Sequence, residues 1–396
     1  MAPPLHQLSE HGQSPWLDFL ARGLIQKGDL ERLVREEGVR GVTSNPTIFQ
    51  KAIASGEAGY DEQLREVAAR EDDPKLVFQA LAVRDIQDAC DVLHEVWDGG
   101  RGLDGWVSLE VDPTLAHDTD ATVEEARRLS ALVDRPNLYV KVPATEAGLP
   151  AIEQLIAEGI PINVTLVFSL ERHAAVMDAY LRGVQRLVDD GGDPGSVCSV
   201  ASFFVSRVDT EIDRRLDTIT AAGSGTGTAA GSGTGTAAGS GTGTAAGGGR
   251  EDLKGRMAIA NAKLAYVQWR QHFAGERWET LEARGASPQW CLWASTSTKD
   301  PSLRDTLYVE ALVGPHTVNT MPMDTLEAMQ DRGIVQATLE TGIEEARALF
   351  DELREAGVDL DDAFATLERE GVEKFEASFR DLIDEIASKR EQLTRA

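Results

Sequence analysis

Eight short apolar runs alternate with longer amphipathic stretches along this chain of 396 residues, and polar, chemistry-bearing side chains gather at the ends of several runs. With 42% hydrophobic and 27% charged residues, those two observations predict an α/β fold. The expected architecture is a single (β/α)8 TIM barrel with extra C-terminal helices and a Gly/Ser/Thr/Ala repeat insertion. Length alone allows two or three domains. The count of eight runs favours one closed barrel spanning residues 1–396.

The runs are residues 16–20, 38–42, 106–111, 138–142, 162–168, 197–204, 290–294 and 317–321. Between them, residues 29–36, 74–97, 121–131, 148–158 and 170–189 carry apolar side chains at helical spacing and read as crossovers. Residues 221–249 hold three copies of AAGSGTGT followed by AAGGG, with no charged or large apolar side chain. Such a segment offers no burial to offset backbone ordering, so it reads as a flexible expansion inside a surface loop. A phosphate-cradling glycine loop is the alternative. The flanking stretches, residues 205–218 and 250–273, are expected to be helices of the same domain.

The last part, residues 324–396, carries 20 acidic and nine basic residues. Val372, Phe375, Phe379, Leu382, Ile383 and Ile386 nevertheless repeat at helical spacing. That stripe predicts a helix packed on the barrel, with a partner-binding helix as the sharper alternative.

The 39 basic and 66 acidic residues leave a formal charge of −27. That field repels polyanions and argues against general nucleic-acid binding and against anionic membrane surfaces. Cys90, Cys198 and Cys291 are far apart and form no CxxC pair, so no disulfide framework or zinc site is expected. No signal-like apolar run opens the chain and no stretch reaches 18 apolar residues, which predicts a cytoplasmic protein.

Only nine of the basic residues are Lys, and Lys141 stands in the apolar run LYVKVP. Alternation puts Val140 and Val142 on the face opposite Lys141. If those valines meet the outer helices, Lys141 points into the barrel. Burial disfavours a charged ammonium, and a neutral amine is the nucleophile needed for a Schiff base with a carbonyl substrate. A solvent-facing strand residue is the plainer alternative. Around it, Asp18, Glu110, Asn163, Thr165 and Ser202 occupy strand positions, and Thr43, Ser44 and Asn45 close the second run. Together they offer acid-base groups and hydroxyl binding suited to a sugar. Arg207 follows near a helix start, where a guanidinium suits phosphate. Ser295 to Lys299 form a hydroxyl-rich turn ending in a cation.

Five motifs then occur in order: GVTSNPTIF (41–49), VSLEVDP (107–113), YVKVPAT (139–145), INVTLVFS (162–169) and ASFFVSRVD (201–209). With WASTSTKDP (293–301) and VNTMP (318–322), the chain resembles the longer bacterial form of the transaldolases over nearly its whole length outside the repeat. The resemblance implies a transferase of the pentose phosphate pathway that needs no cofactor or metal. It would move a dihydroxyacetone unit from sedoheptulose 7-phosphate to glyceraldehyde 3-phosphate, giving erythrose 4-phosphate and fructose 6-phosphate. In that reading Lys141 forms the imine, Asp18 is the acid-base group for carbon–carbon cleavage, and Glu110 and Thr165 position a water. Asn45 and Asn163 would hold the dihydroxyacetone hydroxyls, Ser202 and Phe204 shape the site, and Arg207 with Ser295 receives the phosphate. Sugar phosphates are the implied partners, with a monomer or homodimer as the assembly.

Two departures stand out. Many relatives carry an aromatic and an Arg after the Ser of the seventh-strand motif, whereas this chain continues Thr296, Ser297, Thr298, Lys299. Lys299 is the candidate for a second phosphate cation, as a point charge rather than a planar fork. Phe203 stands where relatives often have Pro. The rival readings are another Schiff-base aldolase on the same barrel, a noncatalytic metabolite-binding barrel or interaction scaffold, and a metal-dependent aldolase using His117 and Asp118. The seven His residues show no paired ligand spacing to support the last.

Overall fold

The structure is a computed structural model that describes residues 2–54, 59–224 and 251–395. Strands β1 (Gln13–Leu17), β2 (Gly41–Thr43), β3 (Trp106–Glu110), β4 (Leu138–Pro143), β5 (Ile162–Val167), β6 (Ser199–Phe204), β7 (Trp290–Ala294) and β8 (Thr317–Met321) pair in parallel in chain order. Pairing of β8 with β1, from Gln13 opposite Thr317 to Leu17 opposite Met321, closes an eight-stranded barrel. The (β/α)8 barrel expected from the apolar runs is the observed fold.

Helices fill the connections. α1 (Pro4–Glu10) precedes the barrel, and α2 (Arg22–Gln26) and α3 (Asp29–Arg32) follow β1. Then come α4 (Pro46–Ala54), α5 (Tyr60–Ala68) and α6 (Pro74–Gly99), and after them α7 (Thr119–Val133), α8 (Gly148–Ala157), α9 (Leu170–Asp189) and α10 (Ser206–Ser224). The chain continues through α11 (Met257–His272), α12 (Glu276–Glu282), α13 (Leu307–Ala311), α14 (Met323–Arg332), α15 (Ile343–Glu355) and α16 (Leu360–Arg395). Of the repeat at residues 221–249, the first four positions extend α10, and the rest lies outside the described residues.

The first strand begins earlier than its apolar run suggests. Gln13 and Ser14 are buried polar residues whose donors the barrel pairs: Gln13 Nε2 donates to Leu312 O at 2.7 Å and to Thr317 Oγ1 at 3.0 Å, and Ser14 Oγ donates to Asp104 Oδ1 at 2.7 Å. A pattern of apolar residues cannot register strand positions whose polarity is cancelled by partners far along the chain. The shift matters for the site, because it leaves Asp18 one residue past the strand end.

Alternation sorts the barrel interior into layers. At the bottom Trp106 stacks on Tyr139 with ring centroids 4.0 Å apart, and Trp16 lies 6.1 Å from Tyr139. Trp16 also lies flat on Gly41, where a Cβ would come within 2.4 Å of the indole, so no larger residue fits that strand position. The middle layer is polar and fully paired across three strands: Asn163 Nδ2 donates to Ser108 Oγ at 3.0 Å, and Ser202 Oγ donates to Asn163 Oδ1 at 2.7 Å. The next inward residues on these strands form the top layer, where the polar groups gather. Val140 and Val142, which flank Lys141, are wholly buried on the opposite face.

One buried group outside the barrel interior sets a pH dependence. His173 of α9 is wholly buried beside Phe203, 5.5 Å between rings, and neither ring nitrogen has a hydrogen-bond partner among the described residues. Burial pushes its pKa down to about 3. The folded state therefore holds a neutral imidazole while the unfolded chain protonates near pH 6.5. Stability from this group is present above about 6.5 and lost as the pH falls toward 3, with about 2 kcal/mol gone at pH 5. His173→Leu is expected to be more stable at neutral pH by about 1–3 kcal/mol, since two unpaired polar atoms leave the core. Urea unfolding at pH 7.5 and pH 5 should show the wild type losing more than the variant; equal losses would remove His173 as the cause.

Candidate active site

A cavity opens at the carboxyl ends of the strands, the end at which a parallel barrel places its loops. Its walls are Asp18, Thr43, Asn45, Lys141, Thr165, Ser202, Phe204, Arg207, Leu292, Ala294, Ser295, Thr320 and Phe375, around a space of about 90 Å³. Eight of the ten residues singled out from the sequence are therefore on one wall. Glu110 and Asn163 are not. Glu110 lies beside Lys141, directly opposite it in the β3–β4 register. Asn163 is opposite Lys141 in the β4–β5 register, with its side chain bonded to Ser108 and Ser202.

Lys141 rises from β4 and is 5% exposed. Its Nζ donates to Ser44 O at 3.0 Å and to Glu110 Oε2 at 3.3 Å. Ser44 is held in turn by its Oγ donating to Ser108 O at 2.7 Å. The amine is thus aimed by two neighbouring strand ends. Burial raises the Glu110 carboxyl above its ordinary value, opposed by the Lys141 charge and its hydrogen bond. Burial likewise raises Asp18, against Lys141, Arg207 and Lys299. Two carboxyls that hold protons more readily than usual therefore flank a primary amine, which is the equipment for moving protons during carbonyl chemistry.

Asn45 begins α4: its Oδ1 accepts from Ile48 N at 3.0 Å, so one end of the amide caps the helix at the cavity wall. Arg207 lies in the first turn of α10. Its guanidinium carbon is 5.1 Å from the centre of the Phe204 ring, and its buried Nη1 has no hydrogen-bond partner among the described residues. Burial pulls Arg207 below its ordinary value, while Asp18 and Glu110 favour its charge. A buried donor without an acceptor next to a cavity is the arrangement an anion completes.

Ser295, in the left-handed region at φ 59°, places its Oγ 2.9 Å from Ser206 Oγ, beside the start of α10. Lys299 is exposed and donates to Ser297 Oγ at 2.8 Å. Desolvation lowers its pKa, the Arg207 charge adds to the lowering, and Asp18 opposes it. Two residues after Arg207, Asp209 accepts from Ala258 N at 2.7 Å and from Tyr308 Oη at 2.7 Å, with burial pushing it up to about 6. That pair of bonds ties α10 to α11 and α13 and fixes where Arg207 begins.

A model of the Transaldolase/Fructose-6-phosphate aldolase family matches residues 15–386. The chain belongs to the transaldolase/fructose-6-phosphate aldolase family. A transaldolase of Parafrankia sp. (strain EAN1pec) is 51% identical over the full length of both chains. One from Acidothermus cellulolyticus is 49% identical, covering all of this chain and 99% of its own. The transaldolase of Mycobacterium tuberculosis (strain CDC 1551 / Oshkosh) is 47% identical over 97% of this chain and 96% of its own.

Wall residues of the family barrel that motif reading left unassigned are Thr320, Leu292, Ala294 and Phe375. The first three follow from strand alternation, because Leu292 and Ala294 of β7 and Thr320 of β8 face the cavity. Phe375 carries no such signal. It belongs to an apolar stripe on α16, and a stripe says which face of a helix is buried without saying what it covers. Among the described residues no three His, Cys, Asp or Glu side chains gather as a metal site, and Asp118 caps α7 by accepting from Ala121 N at 3.0 Å. No helix among the described residues is long and apolar enough to cross a membrane.

Proposed function

We propose that this enzyme transfers a dihydroxyacetone unit from sedoheptulose 7-phosphate to glyceraldehyde 3-phosphate through a Schiff base on Lys141. The observation that carries the reading is the buried Lys141 amine at the cavity wall, bonded to Glu110 and accompanied by Asp18 and an Arg207 with an unpaired guanidinium nitrogen. Lys141 Nζ attacks the ketose carbonyl. Glu110, with the Thr165 hydroxyl, carries a proton to the departing oxygen, and water leaves as the imine forms. Asp18 takes the proton of the C4 hydroxyl, the C3–C4 bond breaks, and the electron pair moves into the protonated imine to give an enamine. Erythrose 4-phosphate departs, glyceraldehyde 3-phosphate enters, and the same steps in reverse produce fructose 6-phosphate.

Asn45 on the wall suits a direct bond to the dihydroxyacetone hydroxyls. Asn163, opposite Lys141 in the β4–β5 register and bonded to Ser108 and Ser202, is the second amide assigned to those hydroxyls. Arg207 and Ser295 receive the phosphate, with Lys299 as the second cation. The acidic surface makes such a local cluster necessary, since the net charge of −27 repels sugar phosphates in general. No metal or organic cofactor enters these steps, and we place the enzyme in the cytoplasm as a monomer or homodimer.

The curated relatives are named transaldolases, whereas the family description also covers an aldolase. A transferase yields stoichiometric aldose and ketose phosphates from donor plus acceptor, with little free dihydroxyacetone. Borohydride with donor should reduce an adduct that maps to Lys141. Stoichiometric free ketone would reassign the enzyme as an aldolase, and an adduct on another lysine would end the Lys141 assignment.

A further inference from the structure

Helix α16 does not simply finish the outer wall. It packs against α4, α5, α6, α10 and the end of β5. Thr47 Oγ1 of α4 donates to Ser378 Oγ at 2.9 Å, Arg172 Nε of α9 to Glu368 Oε2 at 3.1 Å, and Arg215 of α10 pairs with Asp362 at 2.7 Å. Lys389 donates to Ile53 O farther along. These anchors follow β2, β5 and β6, so the helix is strapped across the carboxyl-end mouth of the barrel.

Gly371 permits the close approach. A Cβ there would lie 3.0 Å from Leu166 Cδ2 and 3.4 Å from Phe168 Cε2, at the top of β5. About one turn later Phe375 is 7% exposed and lines the cavity. Its ring centre is 6.0 Å from Lys141 Nζ and 5.9 Å from the Arg207 guanidinium carbon. One apolar ring therefore roofs both the nucleophilic amine and the anion-binding cation, and its π face favours both positive charges without offering them a proton.

We propose that Phe375 is a positioning residue that commits the enamine to transfer by excluding water from it. This rests on the Schiff-base reading above. The enamine has two fates. Its carbon attacks the acceptor aldehyde and forms a new carbon–carbon bond, or it takes a proton from water and becomes the imine of dihydroxyacetone. In the second case hydroxide adds to the C=N carbon, the carbon–nitrogen bond breaks, and free dihydroxyacetone leaves with the Lys141 amine restored. Net, one water is consumed and nothing is oxidised or reduced. The second fate needs water at the enamine carbon during the interval when the aldehyde product has left and the acceptor has not arrived. In that interval the roof over Lys141 is what stands between the enamine and solvent.

The test uses the full-length enzyme and the ratio of free dihydroxyacetone to transfer product, from fructose 6-phosphate as donor and erythrose 4-phosphate as acceptor. Phe375→Ala is expected to raise that ratio about tenfold or more, with Phe375→Leu in between, because water exclusion falls with the volume removed. A general loss of fold lowers both products together and leaves the ratio alone, so the ratio separates this role from a merely structural one. Should the Ala variant fail to fold, the Leu variant carries the test. Borohydride trapping on Lys141 runs in parallel. A normal adduct with a ratio within twofold of wild type in the variants overturns the role of Phe375 alone. Absence of a donor-dependent adduct in the wild type overturns the Schiff-base reading beneath it.

Discussion

Lys141→Met is expected to lower turnover by about 10⁴-fold or more, the scale seen when a covalent nucleophile is removed from an otherwise intact site. The side chain is 5% exposed and its Nζ makes two hydrogen bonds, to Ser44 O and Glu110. Methionine keeps the length and apolar stem of lysine, so β4 and its neighbours retain their packing. The loss of the cation leaves Glu110 buried without the charge that opposes its raised pKa. That carboxyl then stays protonated to higher pH, which limits the structural cost. Substrate binding through Arg207 and Asn45 should persist, so the decrement belongs to kcat and the donor still protects the enzyme against thermal unfolding. Lys141→Arg is the companion variant: it keeps a cation beside Glu110 and cannot form an imine. Activity above about 1% of wild type in the Arg variant would show that charge and not the covalent bond is what the site requires.

The barrel was legible because its outward strand residues are apolar and its crossovers are amphipathic, two patterns that the chain displays locally. The polar top layer was legible for a different reason. A lysine between valines and a glutamate ending an apolar run are costly placements that a buried polar site accounts for, and β3–β4 register puts those two side by side. What escaped the sequence depends on partners distant along the chain. β1 starts at Gln13, where Leu312 and Thr317 accept from the side-chain amide nitrogen. Asn163 drops out of the cavity wall because its amide pairs with Ser108 and Ser202 on adjacent strands. Phe375 reads as a core residue by spacing, and it is buried, but the surface it covers is the cavity. Helical periodicity records burial and is blind to the chemistry beneath.

Asp18→Asn is expected to separate the two halves of the proposed reaction. Asparagine is nearly isosteric, keeps the backbone N–H that donates to Met321 O at 2.8 Å, and cannot accept the proton of the C4 hydroxyl. Loss of a general base costs about 10²–10⁴-fold, so turnover should fall within that range. In the proposed mechanism imine formation draws on Glu110 and Lys141, so it should continue. The variant is therefore expected to accumulate the Schiff base of the whole ketose phosphate, and borohydride should trap an adduct carrying the mass of the intact donor. In the wild type the trapped species shifts toward the three-carbon unit as cleavage proceeds. The pH profile follows from the same group. Burial raises the Asp18 pKa in the free enzyme, so the ionised form needed for cleavage is reached only at a higher pH than for an ordinary aspartate. The acid limb of kcat/KM in the wild type should thus lie above the usual carboxylate range, and the part due to Asp18 should vanish in Asp18→Asn. A variant that retains turnover within threefold of wild type, or that traps only the three-carbon adduct, would take Asp18 out of the cleavage step.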